Sequence, residues 1–308
     1  MSAAAISVAL IGYGEVGQTL AADLTAAGIR DISAWDSLFP LPASTASRAA
    51  ASSGHVRAAP SMADALSERT VVISAVTAAN CVPAAREAAA SLPPGAYYFD
   101  LNSVAPATKR AAAAAIEAAG GRYVEAAVMS PIGPKRIASP MLIGGKHGAS
   151  FEPIARALGF TGIRVFDAHV GRASAAKMCR SVMIKGLEAL LTEGLLAARH
   201  HGVEATVLES LHDLLPAADW QRIADYMIGR SQQHGRRRGE EMREAALAVR
   251  EAGVEPLMSL ACATRQDWAA ARLPASEPEG LAERLDALLE SIRTEESPQK
   301  RAHDLESA

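Results

Sequence analysis

Three glycines near the start of the chain have the spacing of a phosphate-binding turn. The pattern G-x-G-x-x-G follows directly after the apolar run Ile6 to Ile11. The first glycine lets the chain turn, the second leaves no side chain between the backbone and a pyrophosphate, and the third allows a helix to pack close to the strand. The N-terminus of that helix presents unpaired N–H groups and a positive dipole end to the phosphates. We therefore predict a dinucleotide site that includes the whole turn: Gly12, Tyr13, Gly14, Glu15, Val16 and Gly17.

An acidic residue stands about 20 residues after the glycines, where an aspartate hydrogen-bonds the adenosine ribose hydroxyls and repels a ribose phosphate. This residue is Asp36, at the end of a second apolar strand, Ile32 to Trp35. Ser37 rather than arginine follows it, so we expect NAD as the cofactor, with Arg30 and Arg48 leaving NADP as the alternative. A strand-to-helix turn with chance glycines and a surface aspartate is the competing interpretation.

The elements that must position this turn alternate between strand and helix. Further apolar runs of strand length are Thr70 to Val76, Ala96 to Asp100, Tyr123 to Val128 and Met141 to Gly144. This alternation predicts an α/β fold, with a Rossmann doubly wound sheet in residues 1–168.

Polar residues follow two of the predicted strands at their carboxyl ends, where ligands of doubly wound sheets bind. Thr77 and Asn80 follow the strand that ends at Val76, and Asn102 and Ser103 follow the next one. We predict that all four contact the cofactor, with the second pair near the nicotinamide. Helix capping is the alternative role for Thr77, Asn80 and Ser103.

From Gly171 onward the chain shows only long amphipathic segments, which predict helices. They are about Ala173 to His201, Ala205 to Leu214, Ala218 to Gly229, Gln232 to Ala252, Pro256 to Ala271 and Pro278 to Arg293. We predict a helical substrate and dimerisation domain over residues 169–294, because its apolar stripes need a partner subunit to complete the core. The charged segment 295–308 has few large apolar groups and is expected to be disordered.

Composition excludes several classes of protein. The net charge of −3 gives no basic field for nucleic acid or a membrane surface, and 49% hydrophobic residues suffice for two cores in 308 residues. The three cysteines, Cys81, Cys179 and Cys262, form no CxxC pair, which indicates a reducing cytoplasm and no structural zinc. The N-terminus lacks a charged leader, and no run reaches the roughly 18 apolar residues of a membrane span.

A lysine near the predicted domain junction has the surroundings of a proton-transfer group. On a helix, Lys177, Ser181 and Glu188 lie close to one face, and Lys185 lies about 80° away at roughly 100° per residue. Alanine, methionine, valine and isoleucine surround Lys177 in the sequence. Partial burial lowers a lysine pKa towards neutrality, which makes proton exchange with a substrate oxygen feasible. A snorkelling surface lysine is the alternative interpretation.

At this junction the chain resembles the β-hydroxyacid dehydrogenase family, which includes 3-hydroxyisobutyrate dehydrogenase, tartronate semialdehyde reductase and phosphogluconate dehydrogenase. The family motif is G-x-x-G-x-G-x-x-x-K-x-x-x-N, and the resemblance implies that Lys177 is the general acid/base. Gly171 occupies one motif glycine, Ala168 and Ala173 replace the other two, and Ser181 replaces the asparagine that orients substrate.

Two loops extend the resemblance, which covers roughly the first 200 residues. DLNSVAP is similar to the family loop D-x-S-T-x-x-P, which supports Asn102 and Ser103 beside the nicotinamide. EAAVMSP, from Glu125 to Pro131, approximates D-A-P-V-S-G-G, and Ser130 and Lys135 are the candidate substrate contacts near it. Turn formation is their alternative role.

The C-terminal segment HGRRRGEEMREAALAVREAGVEPLM resembles a less studied branch of the family with a shorter helical domain. It contains His234, Arg236, Arg237 and Arg238. An arginine here offers a two-pronged donor to a substrate carboxylate, and Arg237 is favoured because Glu241, one turn on, is able to orient it. A solvated charged face is the alternative. With Ser130, Ser181 and Lys185, Arg237 completes the predicted substrate residues.

The resemblance implies hydride transfer between nicotinamide and a small hydroxy acid or its carbonyl counterpart. An imine or ketone reductase acting on a bulkier substrate is one alternative, because the asparagine is lost and the serine loop is altered. A non-catalytic NAD-binding sensor is the other. We expect a homodimer with a small-molecule substrate and no metal.

Overall fold

The computed structural model describes residues 6–211 and 219–306, with side chains described up to residue 294. The chain divides into two compact units, Met1–Cys179 with Leu247–Val254, and Arg180–Ala246 with Glu255–Ala308. The sequence predicts a boundary after residue 168, but the first turns of the next helix belong to the first unit. Ala173 and Ala176 on that helix pack with Ala127 and Leu142 of the sheet.

The first unit contains one sheet, eight-stranded over the residues described. Its strands are β1 Val8–Ile11, β2 Ile32–Trp35, β3 Arg57–Ala58, β4 Val71–Ser74, β5 Tyr97–Asp100, β6 Arg122–Val128, β7 Met141–Gly144 and β8 Ile163–Asp167. Their order is β3-β2-β1-β4-β5-β6-β7-β8, and all neighbours are parallel except β6 and β7. The predicted Rossmann doubly wound sheet is confirmed.

Helices cover both faces of this sheet. They are α1 Glu15–Ala26, α2 Thr45–Ser53, α3 Met62–Leu66, α4 Cys81–Ala89, α5 Pro106–Ala118, α6 Ile132–Lys135 and α7 Gly148–Ala157. Successive residues of a strand point to opposite faces. In β1, Val8 and Leu10 therefore enter one apolar core, and Ala9 and Ile11 enter the other. Burial on both faces explains why the central strands have continuous apolar sequences.

The second unit is helical throughout the residues described. The helix α8, Arg172–His200, begins in the first unit and continues into the second. It is followed by α9 Glu204–Ser210, α10 Trp220–Glu251, α11 Leu257–Ala270 and α12 Leu281–Glu306. Leucines of α8 and α12 form a core with Trp220 and Ile228 of α10.

One long helix, α10, replaces two predicted segments, Ala218 to Gly229 and Gln232 to Ala252. The first of these segments ends at Gly229, since glycine has a low helix propensity, but Gly229 lies where α10 packs against α12. A Cβ atom at Gly229 would lie 3.1 Å from the guanidinium carbon of Arg284. Close packing of two helices therefore selects glycine inside a continuous helix.

Parts of three predictions involve residues that are not fully described. The ends of the predicted segments Ala205 to Leu214 and Ala218 to Gly229 fall in residues 212–218, outside the described part of the chain. The helix α12 extends to Glu306, whereas the sequence predicts disorder for residues 295–308. The side chains of that tail are not described, and its disorder stays a prediction. Among the described residues, no helix has the length and apolar character needed to cross a bilayer.

Candidate functional site

The glycine turn between β1 and α1 has the geometry that its spacing predicts. Gly12 has φ +91°, and a Cβ there would lie 2.4 Å from the carbonyl oxygen of Ala75. A Cβ at Gly17 would lie 2.2 Å from the carbonyl oxygen of Gly12, so α1 packs directly on the turn. At Gly14, by contrast, a Cβ would meet no atom within 4 Å. The residue that precedes α1 therefore borders open space, which fits a bound diphosphate.

The end of β2 is joined to this turn. One carboxylate oxygen of Asp36 accepts the backbone N–H of Tyr13 at 2.7 Å, and the other accepts the N–H of Leu38 at 2.9 Å. The Tyr13 side chain is buried and meets Phe39 edge to face, with ring centroids 5.8 Å apart. Asp36 thus lies beside the turn, as a ribose-binding aspartate must.

The other predicted turn residues differ in exposure. Glu15 is exposed in the first turn of α1, where its carboxylate faces the positive end of the helix dipole. Val16 is half-buried and packs on one of the two cores of the sheet. Both lie next to the open space at Gly14.

The predicted residues after β4 are exposed and bonded to one another. Asn80 Nδ2 donates to Thr77 Oγ1 at 2.9 Å. Thr77 precedes a short 3-10 turn, Ala78–Asn80, but its side chain makes no capping bond to the backbone there. Both side chains lie at the carboxyl end of β4, at the same edge of the sheet as the glycine turn. Their contact with the cofactor stays a prediction.

Asn102 is buried and joins the ends of two strands. Its Oδ1 accepts the N–H of Val76 at 2.7 Å, and its Nδ2 donates to Ser74 Oγ at 3.0 Å. The side chain therefore holds the loop after β5 against the loop after β4. Among the described residues, the buried Oγ of the adjacent Ser103 has no hydrogen-bond partner. A buried hydroxyl without a partner is unfavourable, so the Ser103 Oγ fits a site that a cofactor group completes.

Lys177 lies on the part of α8 that belongs to the first unit. One turn earlier, the Ser174 hydroxyl donates to the carbonyl oxygen of Val104 in the loop after β5. Residues three apart share a helix face, so Lys177 projects from the face that contacts the loop of Asn102 and Ser103. Its side chain is half-buried.

Buried charges lie beneath this edge of the sheet and were not predicted. Lys109 Nζ is 2.9 Å from Asp100 Oδ1 and donates to the Asp100 carbonyl at 2.8 Å. The Tyr123 hydroxyl donates to Asp100 Oδ2 at 2.6 Å, and burial raises its pKa well above the usual value. Burial also raises the pKa of the nearby Cys81 thiol to about 12. A lysine in an alanine-rich helix gives no sequence signal of such burial.

The second unit brings three predicted substrate residues together. Lys185 is 93% buried, and its Nζ lies 2.5 Å from Glu241 Oε2 and 3.4 Å from Ser181 Oγ. Arg237 Nε lies 3.9 Å from the other oxygen of Glu241, and this arginine is half exposed. The carboxylate that was expected to orient Arg237 therefore orients Lys185 as well.

The neighbouring arginine has a different environment. Arg238 is buried, and its Nε and Nη2 donate to the two carboxylate oxygens of Glu188. Gln266 donates to the same carboxylate at 3.1 Å. Arg237 and Arg238 therefore differ in exposure, and the sequence RRR gives no sign of this difference.

The fourth predicted substrate residue, Ser130, lies in the first unit on the segment between β6 and β7. Its hydroxyl donates to the carbonyl of Pro131 at 3.3 Å, as in a turn, and Lys135 nearby is exposed. No group of three or more histidine, cysteine, aspartate or glutamate side chains is placed to hold a metal ion within the described ranges.

Together, the sheet order, the glycine turn and Asp36 define a dinucleotide-binding Rossmann protein. Residues 7–171 match the NAD binding domain of 6-phosphogluconate dehydrogenase, and residues 198–269 match a domain of unknown function, DUF1932. Because the first match spans more than half of the 308 residues, the chain belongs to the 6-phosphogluconate dehydrogenase NAD-binding family. The family assignment makes the chain an NAD(P)-dependent oxidoreductase by class, and the expected NAD-binding domain is confirmed.

Solved structures resemble the chain over most of its length. A conserved hypothetical protein from Sinorhizobium meliloti 1021 is 35% identical with a TM-score of 0.75, covering 92% of this chain and 95% of that one. A conserved protein of unknown function with structural similarity to 3-hydroxyacid dehydrogenases is 32% identical with a TM-score of 0.69, covering 88% and 100%. The 3-hydroxyisobutyrate dehydrogenase of Mycobacterium tuberculosis shares the fold at 20% identity and a TM-score of 0.71, covering 94% and 99%.

Among curated proteins, an uncharacterized 28.5 kDa protein of Methanothermus fervidus is 29% identical over 202 residues. The matched region covers 63% of this chain and 74% of that protein.

Proposed function

We propose that this protein transfers a hydride between NAD and a small 3-hydroxy acid or its carbonyl counterpart, with Lys177 Nζ as the general acid/base. One observation carries the proposal. The hydrogen bond from Ser174 to Val104 holds the Lys177 face of α8 against the loop that contains Ser103. The amine and the predicted nicotinamide loop therefore belong to the same unit and the same edge of the sheet.

The residues of the glycine turn and Asp36 would hold the cofactor. Gly14 leaves room for the diphosphate, and Asp36 favours NAD over NADP because its charge repels a ribose phosphate. The nicotinamide, when bound, supplies the hydride acceptor or donor. During oxidation the neutral Lys177 Nζ takes the substrate hydroxyl proton, and the ammonium so formed stabilises the developing alkoxide. During reduction the ammonium returns this proton to the oxygen.

Cationic groups support an acid as the substrate. Lys185 and Arg237 of the second unit both lie near the carboxylate of Glu241. We assign the substrate carboxylate to Arg237, since its half-exposed guanidinium offers two parallel donors. Ser181 and Ser130 are the proposed hydroxyl contacts.

The test compares Lys177→Ala with Lys146→Ala, which removes an exposed lysine from the same unit. Oxidation of 3-hydroxypropionate, 3-hydroxyisobutyrate and glycerate is followed by NADH absorbance. Lys177→Ala should lower turnover by about 100- to 10,000-fold, the usual contribution of general acid–base catalysis. NADH affinity, measured by fluorescence titration, should be unchanged. Unchanged turnover in Lys177→Ala would exclude the lysine from the mechanism.

A second candidate is a reductase for bulkier ketones or imines. Its support is Ser181, which is smaller than the asparagine of the family motif and leaves more room in the substrate site. Activity of the unmodified protein with cyclic ketones and amines, but with none of the hydroxy acids, would favour it. Cofactor binding without any turnover would instead favour an NAD sensor.

We also propose a cytoplasmic homodimer. Large apolar side chains are exposed on the second unit, including Met183 at 74%, Leu190 at 58% and Leu257 at 69% exposure. Burial of these side chains against a second copy would stabilise the assembly. Sedimentation velocity should give a dimer, and a stable monomer at micromolar concentration would refute this proposal.

A further inference from the structure

A carboxylate from the sheet lies at the N-terminus of α8. Glu125 of β6 is fully buried, and its Oε2 accepts the N–H of Gly171 at 2.7 Å. Its Oε1 accepts the N–H of Ala173 at 2.8 Å. The first N–H groups of a helix have no partner inside the helix. Glu125 therefore caps α8 from a strand 46 residues earlier in the chain.

The backbone around Glu125 leaves room for this carboxylate. Gly144 of β7 pairs with Glu125, and a Cβ at Gly144 would lie 2.8 Å from Glu125 Oε1. Gly171 has φ +100°, and a Cβ there would lie 3.2 Å from Pro106. At each of these two positions a side chain would force neighbouring atoms to shift, so glycine fits best. The strands β6 and β7 and the turn before α8 thus enclose the side chain of Glu125.

A buried cation supports the negative charge of the cap. Lys109 donates to the carbonyl of Ala126, next to Glu125, at 3.3 Å, and also pairs with Asp100. Burial raises the pKa of Glu125, and Asp100 acts in the same direction. Lys109 and the two capped amides oppose this rise. Lys109 and the two amides therefore favour the charged form of Glu125, whereas burial and Asp100 disfavour it, and the pKa stays above its usual value.

We propose that Glu125 is a positioning residue that sets the place of Lys177 by capping the helix that carries it. Two hydrogen bonds to amides two residues apart fix both the position of α8 along its axis and its rotation about that axis. Lys177 follows Ala173 by one turn, so a shift at the cap moves the amine by the same amount. The proposal rests on the proposed function for the role of Lys177. The cap itself is independent of it.

A double-mutant cycle tests the connection between the two residues. Glu125→Gln keeps the shape of the side chain but turns one acceptor into a donor that faces an N–H group. We expect kcat with the active hydroxy acid to fall about 10-fold, because misplacement of a catalytic group by a fraction of an ångström slows turnover. The KM for NAD should stay unchanged, since the glycine turn is untouched. In the Lys177→Ala background, Glu125→Gln should cause no further loss.

The matched control is Glu117→Gln, which removes one charge from a partly exposed pair with Lys146 in the same unit. It should change none of these values. Equal losses from Glu125→Gln with and without Lys177 would show a purely structural role and overturn the proposal. If Glu125→Gln does not fold, Glu125→Asp, which shortens the reach to the two amides, takes its place in the same cycle.

Two readouts need no substrate and separate this inference from the proposed function. Hydrogen exchange by mass spectrometry should show the amides of Gly171 and Ala173 exchanging about 10-fold faster in Glu125→Gln, because a lost cap frees them. Acetylation of Lys177 by acetic anhydride should change in rate in the same variant, while that of Lys146 stays constant. Unchanged exchange and unchanged labelling would overturn the proposal even if Lys177 proves to be catalytic.

Discussion

The carboxylate of Asp36 accepts the backbone N–H of Tyr13 at 2.7 Å, so the end of β2 and the glycine turn are held together by one side chain. Its second oxygen accepts the N–H of Leu38. A carboxylate has about four lone-pair sites, and two remain for ribose hydroxyls. Asp36 therefore shapes the turn and is still able to bind the cofactor.

Removing this carboxylate should weaken cofactor binding and change its selectivity. Asp36→Ala should raise the NADH dissociation constant about 10-fold, the effect of losing roughly 1.4 kcal/mol. NADPH binding should be weakened less, because the repulsion of the ribose phosphate is lost as well. Fluorescence titration with both nucleotides measures the ratio. Asp64→Ala, at an exposed pair with Arg57, serves as the control; an unaltered ratio in Asp36→Ala would contradict the ribose role.

Two glycine substitutions in the turn should separate binding from folding. Gly14→Ala adds a methyl group into open space at a residue with φ −77°, so the melting temperature should stay the same. NADH affinity should fall, since the methyl group occupies the diphosphate position. Gly17→Ala forces a contact with the carbonyl of Gly12 and should destabilise the protein by about 1–3 kcal/mol or more. Thermal unfolding with and without NADH distinguishes the two outcomes.

Asn102 should contribute more to stability than Asn80, although both follow strand ends. Asn102→Ala leaves the Val76 N–H without its acceptor and should cost about 1–3 kcal/mol. Asn80→Ala removes an exposed bond to Thr77 and should change stability by less than about 0.5 kcal/mol. Urea unfolding of the two variants gives both values. Equal midpoints would mean that the Asn102 bonds contribute nothing net.

Two adjacent arginines in α10, Arg237 and Arg238, should also differ in their contribution to stability. Arg238→Met leaves the buried Glu188 carboxylate without its cation and should destabilise the protein by about 3–5 kcal/mol. Arg237→Met should leave stability nearly unchanged, because its contact with Glu241 is long and partly exposed. Its effect should appear in the KM for the acid substrate. A stable Arg238→Met variant would show that Gln266 alone satisfies Glu188.

The three cysteines should react at very different rates. Burial raises the pKa of Cys81 to about 12 and of Cys262 to about 11, so both are thiols at pH 8. Cys179 is exposed. Because the thiolate is the reactive form, an aromatic disulfide reagent should label one thiol per chain in the native protein and three after denaturation. Fast labelling of two or more would show that a buried cysteine becomes exposed.

Local sequence was sufficient to predict the glycine turn and the place of Asp36 beside it. The glycine spacing and Asp36 have fixed distances along the chain, and the strands that carry them are buried on both faces, so periodicity and composition identify them. Two strands, β3 and β8, were not predicted from the sequence. β3 has only two residues, Arg57–Ala58, and in β8 exposed positions such as Arg164 alternate with buried or half-buried ones. Neither forms the continuous apolar run that marks the central strands.

Contacts between distant residues explain the remaining differences. Glu125 and Gly171 are brought together only by the folded sheet, and nothing next to Glu125 in the sequence indicates a cap. Gly229 indicates a helix end until Arg284 is placed beside it. The same holds for Arg237 and Arg238, whose burial depends on where Glu188 lies. Such roles follow from tertiary packing, which overrides local propensity.

Residues 247–254 belong to the first unit, and Glu251 pairs with Arg110 at 2.8 Å and accepts the N–H of Ala107. During synthesis on the ribosome, all eight described strands of the sheet are therefore made before residues 247–254 of the same unit. A nascent chain released after Cys179 would lack the carboxylate that bonds to Ala107 and Arg110 in the first turns of α5. Co-translational folding of this half should finish only after residue 254 has left the exit tunnel.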